Sequence, residues 1–557
     1  MFFPVFSCVL CAPLRPLRPS ASSAVKGFGC SFVALCFKDF GCILVMPMRN
    51  HMPRLVVLLL VLTLAASLFA QDVGSFEKRI TVKKLANGLT VLIMERPEAP
   101  VFSFYTHVDA GGAQEGVGRT GLAHMFEHMA FKGTDSIGTR NFTAEQAALK
   151  KVDAAYAAYQ AENQKEIGRD AAKAAELEKA WQSAVAEADR YVIDNEFGEI
   201  VEGQGGTGLN ASTNLDETAY NYSFPENRLE LWAYLESERF LHPVMRQFYK
   251  ERDVVYEERR MRTDSSPQGR LLEQFLAAAF IAHPYGRPVS GWPSDLKSFS
   301  AVDAMEFFHK YYVPTNMVIA VVGDIKAAQA LPIIEKYFGR LPTAPAPEPL
   351  RTREPQQKAL RQVILHEQSQ PIYIEGYHRP DYRDPDDAVY DALSDLLSKG
   401  RTSRLYRSLV RDKQIAIAAE GGSFPGNKYP NLFYFFALPV EGRSAQDLIR
   451  PIHEEIEKLK TQDVSDEELQ SVKTRAKADL LRGLADNEGL AFQLGATQAR
   501  YGDWREMFRQ IDRIEKVTKA DIRRVANTTF VEDNRTVAMI ETDKTEAPAG
   551  GAKGEQK

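Results

Sequence analysis

Beyond residue 42 this 557-residue sequence has no cysteine, because all five, Cys8, Cys11, Cys30, Cys36 and Cys42, come before that point. The remainder therefore has no thiol nucleophile, no cysteine-ligated metal and no disulfide. An excess of either charge is missing too. Lys and Arg number 69 against 74 Asp and Glu, a net charge of −5, without the clustered basic excess of a nucleic-acid binder. Long apolar runs are absent apart from LVVLLLVLTLAASLFA at 55–70, which is short for a membrane span.

That run has the form of a secretory signal, with Arg49 and Arg54 ahead of it and the polar Gln71 and Asp72 behind. Cleavage after Ser67 or Ala70 and export to a periplasm or the outside are expected. Residues 1–47, rich in Cys, Pro and Phe, suit no folded unit ahead of a signal, so translation is expected to start at Met48 or Met52. With 44% hydrophobic and 26% charged residues, the rest has a globular composition long enough for two or more domains.

The most informative stretch is GLAHMFEHMAFKG, 121–133. On a helix, residues four apart share a face, so His124 and His128 can aim two imidazoles at one ion, with Glu127 beside them as a base. This H-x-x-E-H order inverts the commoner H-E-x-x-H and is called inverzincin. It resembles the pitrilysin/insulinase family of zinc metallopeptidases. A catalytic Zn2+ needs three protein ligands and an open position for water. Residues 248–262, FYKERDVVYEERRMR, carry Glu251 and Glu258 seven apart on one helical face and resemble the second zinc segment of the family. That resemblance puts Glu258 in the place of the third ligand and Glu251 in that of a second acidic residue near the metal.

Along the chain, Asn87-Gly88 reads as a hairpin turn between apolar runs at 80–85 and 89–93, and 101–108 as the next strand. Residues 144–191, rich in Ala, Glu, Lys and Gln and free of proline, predict two helices broken near Gly168. We expect a peripheral hairpin whose removal spares the zinc site, and which accounts for the long interval from His128 to Glu258. Residues 203–225 predict one glycine-rich strand, in which Asn210 and Ala211 match the family's peptide-binding strand. His283 and Trp292, in HPYGRPVSGW, are read as structural.

A proline-rich linker at 341–358 separates a catalytic domain, 76–340, from a second domain, 359–543, and 544–557 has the composition of a disordered tail. The second domain repeats the strand and helix order of the first, with Asp391, Ser394 and Asp395 standing where His124, Glu127 and His128 do. The resemblance thus implies an α+β fold of two homologous domains, each a mainly antiparallel sheet packed with helices, one half catalytic and one degenerate. It also implies a chamber between the halves and peptide substrates. An Arg and a Tyr of the degenerate half reach the substrate in the family. Here Arg411 takes the place of the Arg, while Ile417 or Ala418 stands where the Tyr is expected. The competing expectations are a non-catalytic or partner-dependent subunit, in a homodimer or in a heterodimer with a related chain, and a zinc-stabilised scaffold whose site a fourth ligand would close.

Overall fold

The computed structural model describes residues 76–543; the expected export signal, the expected translation start and the tail lie outside them. From Arg79 on, the chain builds two sheets, each packed with helices. Strands β1 (Ile80–Lys84), β2 (Thr90–Glu95), β3 (Val101–Val108), β4 (Thr207–Thr213), β5 (Thr218–Pro225) and β6 (Met317–Gly323) form the first, in the order β1-β2-β6-β3-β5-β4. The second is β7-β11-β8-β10-β9, from β7 (Arg361–Glu367), β8 (Ile372–Arg379), β9 (Ala416–Phe424), β10 (Asn431–Pro439) and β11 (Arg535–Thr542). Each sheet has one parallel pair, β2 with β6 and β7 with β11, and is otherwise antiparallel. Without β1 the two orders coincide strand for strand, so β9 is the counterpart of β4.

The sequence explains the first hairpin directly. Gly88 takes a left-handed backbone at φ 99°, and the buried Asn87 side chain donates to the carbonyls of Phe338 (2.8 Å) and Leu341 (3.1 Å). The turn is thereby fastened to the end of a distant helix. Residues 203–225 hold two strands and not the single one expected. Asn214 breaks them apart by accepting from the N–H groups of Asp216 (2.7 Å) and Glu217 (3.0 Å), which closes the β4–β5 turn.

Seven helices, numbered in chain order, position the site: α1 (Leu122–Met129), α2 (Phe142–Asn163), α3 (Ala171–Ala188), α4 (Phe248–Arg259), α5 (Pro267–Ala279), α6 (Asp387–Ser398) and α7 (Asn487–Tyr501). Helices α2 and α3 pair as the expected hairpin, but it is not peripheral. Ala148, Val152, Tyr156 and Ala188 belong to the core of the first half. Fully buried Glu145 also grips equally buried Arg246, two residues before α4. Tyr156 and Trp181 pack on Tyr249 and Arg252 of α4. The aromatic and paired charged residues at buried positions make the hairpin structural.

The halves exchange helices. From the second half, α7 lies across β3 and β6, and Gly495 meets the Tyr105 ring so closely that a Cβ would stand 2.6 Å from it. From the first half, α5 lies across β7, β8 and β11, and Phe275 covers Gly376 in the same manner. Residues 342–358 are irregular, as a linker should be, yet the Glu354 carboxylate accepts from the N–H groups of Ile281, Ala282 and His283.

Candidate active site

Helix α1 starts at Gly121, in the left-handed region at φ 95°, a conformation glycine adopts without strain. No local side chain caps it. Glu115 instead accepts from the N–H groups of Gly121 and Ala123 (2.8 Å each), and Asp295 accepts from Thr120 N (3.1 Å) and Oγ1 (2.7 Å). Burial pushes the Glu115 carboxyl up to about 8, against the lowering effect of those two N–H groups. Trp292 serves the same framework through its main chain, while His283 bonds within its own turn. His283 Nδ1 accepts from Tyr285 N, and Trp292 N donates to Thr120 Oγ1 (2.8 Å).

One turn apart, the His124 and His128 rings lie 4.8 Å centre to centre. Glu258 of α4 faces both, with Oε1 3.7 Å from His124 Nε2 and Oε2 3.5 Å from His128 Nε2. One ligand atom from each residue lies within 4.8 Å of the others. Tetrahedral zinc with bonds of about 2.0–2.1 Å needs ligand atoms about 3.4 Å apart, so this His-His-Glu set, buried at His124 and Glu258 and half-buried at His128, fits the ion with small adjustments. The protonation states suit it as well. Burial, helped by neighbouring His128, lowers the His124 pKa to about 3 and keeps the imidazole neutral. At Glu258 burial works upward, but the hydrogen bond with His128 and the neighbouring Arg262 guanidinium outweigh it and hold the carboxyl below its ordinary range.

Around this set is an outer layer. Glu251 Oε1 is 2.9 Å from His128 Nδ1, and Lys132 Nζ is 2.5 Å from Glu251 Oε2. Burial raises the Glu251 pKa, yet the bonds from His128 and Lys132 bring it down to about 2, so a carboxylate orients the imidazole. Arg262, in a π-helical turn at Arg260–Asp264, meets Glu258 Oε1 at 2.6 Å. Glu127 is buried beside the set. Burial raises its pKa, and a hydrogen bond with Thr213 of β4 opposes the rise. Lys132, Arg262, Thr213 and Glu115 were not singled out from the sequence. Spacing could have found the first two, four residues beyond His128 and Glu258; Thr213 and Glu115 leave no such signal.

β4 is an edge strand. Asn214 N donates to Glu217 O (3.0 Å), so bonded pairs continue at Ser212 with Ala219 and Asn210 with Asn221. Ala211 and Thr213 therefore turn their main-chain groups to the open edge. Asn210 is half-buried and Ala211 buried. Arg411 is exposed, and Asp412 holds its guanidinium at 2.6 Å. In α6, Asp391 bonds Gln510, Asp395 bonds Arg475, and Ser394 donates to Gly421 O on β9.

Comparison with known proteins agrees with this geometry. Residues 90–165 match the family model Insulinase (Peptidase family M16), and 298–476 match Peptidase M16 inactive domain. The chain is 28% identical over 491 residues to zinc protease PqqE of Helicobacter pylori, covering 86% of this chain and 96% of that protein. It is 24% identical to the mitochondrial-processing peptidase subunit beta of Saccharomyces cerevisiae, over 82% and 89% of the two chains. The crystal structure of a protease from Helicobacter pylori superposes with a TM-score of 0.69 at 26% identity, covering 83% and 99%. The periplasmic protease PqqL of Escherichia coli shares the fold at a TM-score of 0.61 and 19% identity, and there this chain spans 83% of its own length but 48% of the other. Motif, donor set and fold thus agree, and the chain belongs to the M16, or insulinase, family of peptidases.

Proposed function

We propose that this chain is an exported zinc endopeptidase that hydrolyses peptides or unfolded polypeptides in a chamber. The observation that carries this reading is the convergence of His124, His128 and Glu258, with buried Glu127 alongside. His124, His128 and Glu258 would hold the ion, and Glu251 fixes the orientation of His128. When bound, zinc supplies an acidified water and a Lewis acid for the scissile carbonyl. Glu127 would take a proton at its carboxylate from the attacking water and return it to the leaving amine. The open edge of β4, at Asn210 and Ala211, holds the substrate main chain as an added strand. Residues 76–340 form the catalytic domain, 341–358 a connector and 359–543 the degenerate domain, from which Arg411 reaches the substrate. Export rests on the signal-like run at 55–70.

A second reading, a chain that acts only with a related partner or a second copy, is favoured by two observations. This chain spans 48% of PqqL, and one relative is named a subunit. Arg411, exposed and paired within the chain with Asp412, would then serve the partner's site. Mass measurement in solution alongside activity against chain concentration separates the two readings.

The test of the chemistry is Glu127→Gln, which keeps the shape and an acceptor but no base. Zinc should stay stoichiometric and peptide affinity should hold, while cleavage of a mixed peptide pool falls at least about a hundredfold. Turnover within a few-fold of wild type, or wild-type cleavage that survives chelation, overturns the mechanism.

A further inference from the structure

The second half contributes a loop, residues 424–429, that closes on the β4–β5 turn. Asp216, at the tip of that turn, is buried. Its Oδ2 accepts from the N–H groups of Asn427 (3.0 Å) and Lys428 (3.2 Å), and its Oδ1 accepts from the Tyr285 hydroxyl. The Tyr285 hydroxyl in turn accepts from Tyr429 N (3.2 Å). Gly426 lies so near that a Cβ would stand 2.6 Å from both Asp216 Oδ2 and the Tyr285 oxygen, so only glycine lets the loop seat. Lys428 also pairs with Asp109, in the segment that leads from β3 to α1.

This contact lies at one end of a short path to the catalytic apparatus. Where the same turn joins the strands, Thr213 Oγ1 lies 3.4 Å from Thr218 Oγ1, and Thr218 donates to Ala110 O (2.9 Å). Thr213 is the residue that bonds Glu127, and it shares the open edge of β4 with Ala211. As an edge strand, β4 is fixed by β5 on one side only, so its register depends on the turn that joins them.

We propose that loop 424–429 is a positioning clamp for the substrate strand, acting through Asp216 to hold the β4–β5 hairpin, and with it Thr213 and the edge at Asn210 and Ala211, in the working register. The second half thus assists the reaction by holding the strand. Asp216, Gly426 and Tyr285 are positioning residues, and their link to turnover rests on the peptidase reading above.

The test is amide hydrogen exchange on the zinc-loaded full chain, read alongside kinetics. Asp216→Ala should speed exchange at least about tenfold across 207–218 and leave 122–129 as in the wild type, with zinc still stoichiometric. In Asp216→Asn the amide oxygen can accept from Asn427 N and Lys428 N, and its NH2 can donate to the Tyr285 oxygen, so protection should return. Tyr285→Phe, which removes one of the bonds and keeps the ring, should give a smaller change in the same direction and serves if Asp216→Ala does not fold. Cleavage should follow, with kcat/KM at least about tenfold lower in Asp216→Ala and rescued in Asp216→Asn. Unchanged exchange at 207–218 in both Asp216→Ala and Tyr285→Phe overturns the clamp. So does equal loss of protection across the first half, which would make Asp216 a general stability residue. Because exchange needs no turnover, a chain that failed to cleave any peptide would refute the peptidase reading and still decide this one.

Discussion

Glu145→Ala tests how deeply the helical hairpin is built into the site. Arg246 has five N–H donors and all are used. Nε and Nη2 meet Glu145 at 2.6 and 2.9 Å, Nη1 donates to the carbonyls of Lys132 (2.6 Å) and Ile137 (3.0 Å), and Nη2 donates to that of Thr134 (2.9 Å). Both side chains are 1% exposed or less. Removing the carboxylate leaves a guanidinium charge in the interior with only neutral carbonyls, and breaking one side of such a pair costs about 3–5 kcal/mol. Glu145→Gln keeps an acceptor and should cost less. Arg246 also ties the loop after α1 to the start of α4, so the loss falls on the two helices that bring His124, His128 and Glu258 together. The assay is urea unfolding at saturating zinc, with zinc affinity from chelator competition. Destabilisation near 4 kcal/mol together with weaker zinc binding is expected. In the Glu145→Ala/Arg246→Ala cycle the double variant should lose less than the sum of the singles. A Glu145→Ala variant within about 1 kcal/mol of wild type would refute the buried clamp and restore a peripheral hairpin.

His124→Ala, His128→Ala and Glu258→Gln should each lose stoichiometric zinc by metal analysis, since two ligands remain; full retention in any of them removes that residue from the set. Arg262→Ala should weaken zinc about 10–100-fold in chelator competition, because Glu258 loses the partner that fixes its orientation, and unchanged affinity would show that the pair is incidental. Glu217 provides the pH test. Burial raises its pKa, but His107, Arg500 and Asn214 outweigh this and hold it at about 2, against an ordinary 4.5. A depressed carboxylate contributes stability that is fully present above about pH 4.5 and is lost as pH falls toward 2. The amount is on the order of 3 kcal/mol. The stability gap between wild type and Glu217→Gln should shrink across that window, and a gap independent of pH would contradict the assignment.

Much of the site was legible because it is local. His124 and His128 are four apart on one helix, Glu251 and Glu258 seven apart on another, and helical spacing alone says which side chains share a face. The strand at 101–108 was legible for a similar reason, as a run rich in β-forming residues ended by glycines. What escaped depends on contacts between distant positions. Glu115 caps α1 from a loop, and Arg246 reaches back to Glu145 across a hundred residues of chain. The hairpin in 203–225 was read as one strand because its turn carries no Asn-Gly or Asp-Gly pair; Asn214 closes it through its side chain. The helix exchange has no sequence signature, since the apolar face of α7 reads the same whichever sheet it covers.

That exchange bears on how such a chain is assembled. Each sheet lacks one of its covering layers until the other half has been made, so neither half has a complete interior by itself. Cutting at 341–358 would therefore give two fragments that recover structure only in each other's presence, and the intact chain should unfold in a single cooperative step. A half without the metal motif is consequently not dispensable. Its sequence answers to the shape of its neighbour, and it would be retained for folding even where it adds nothing to the chemistry.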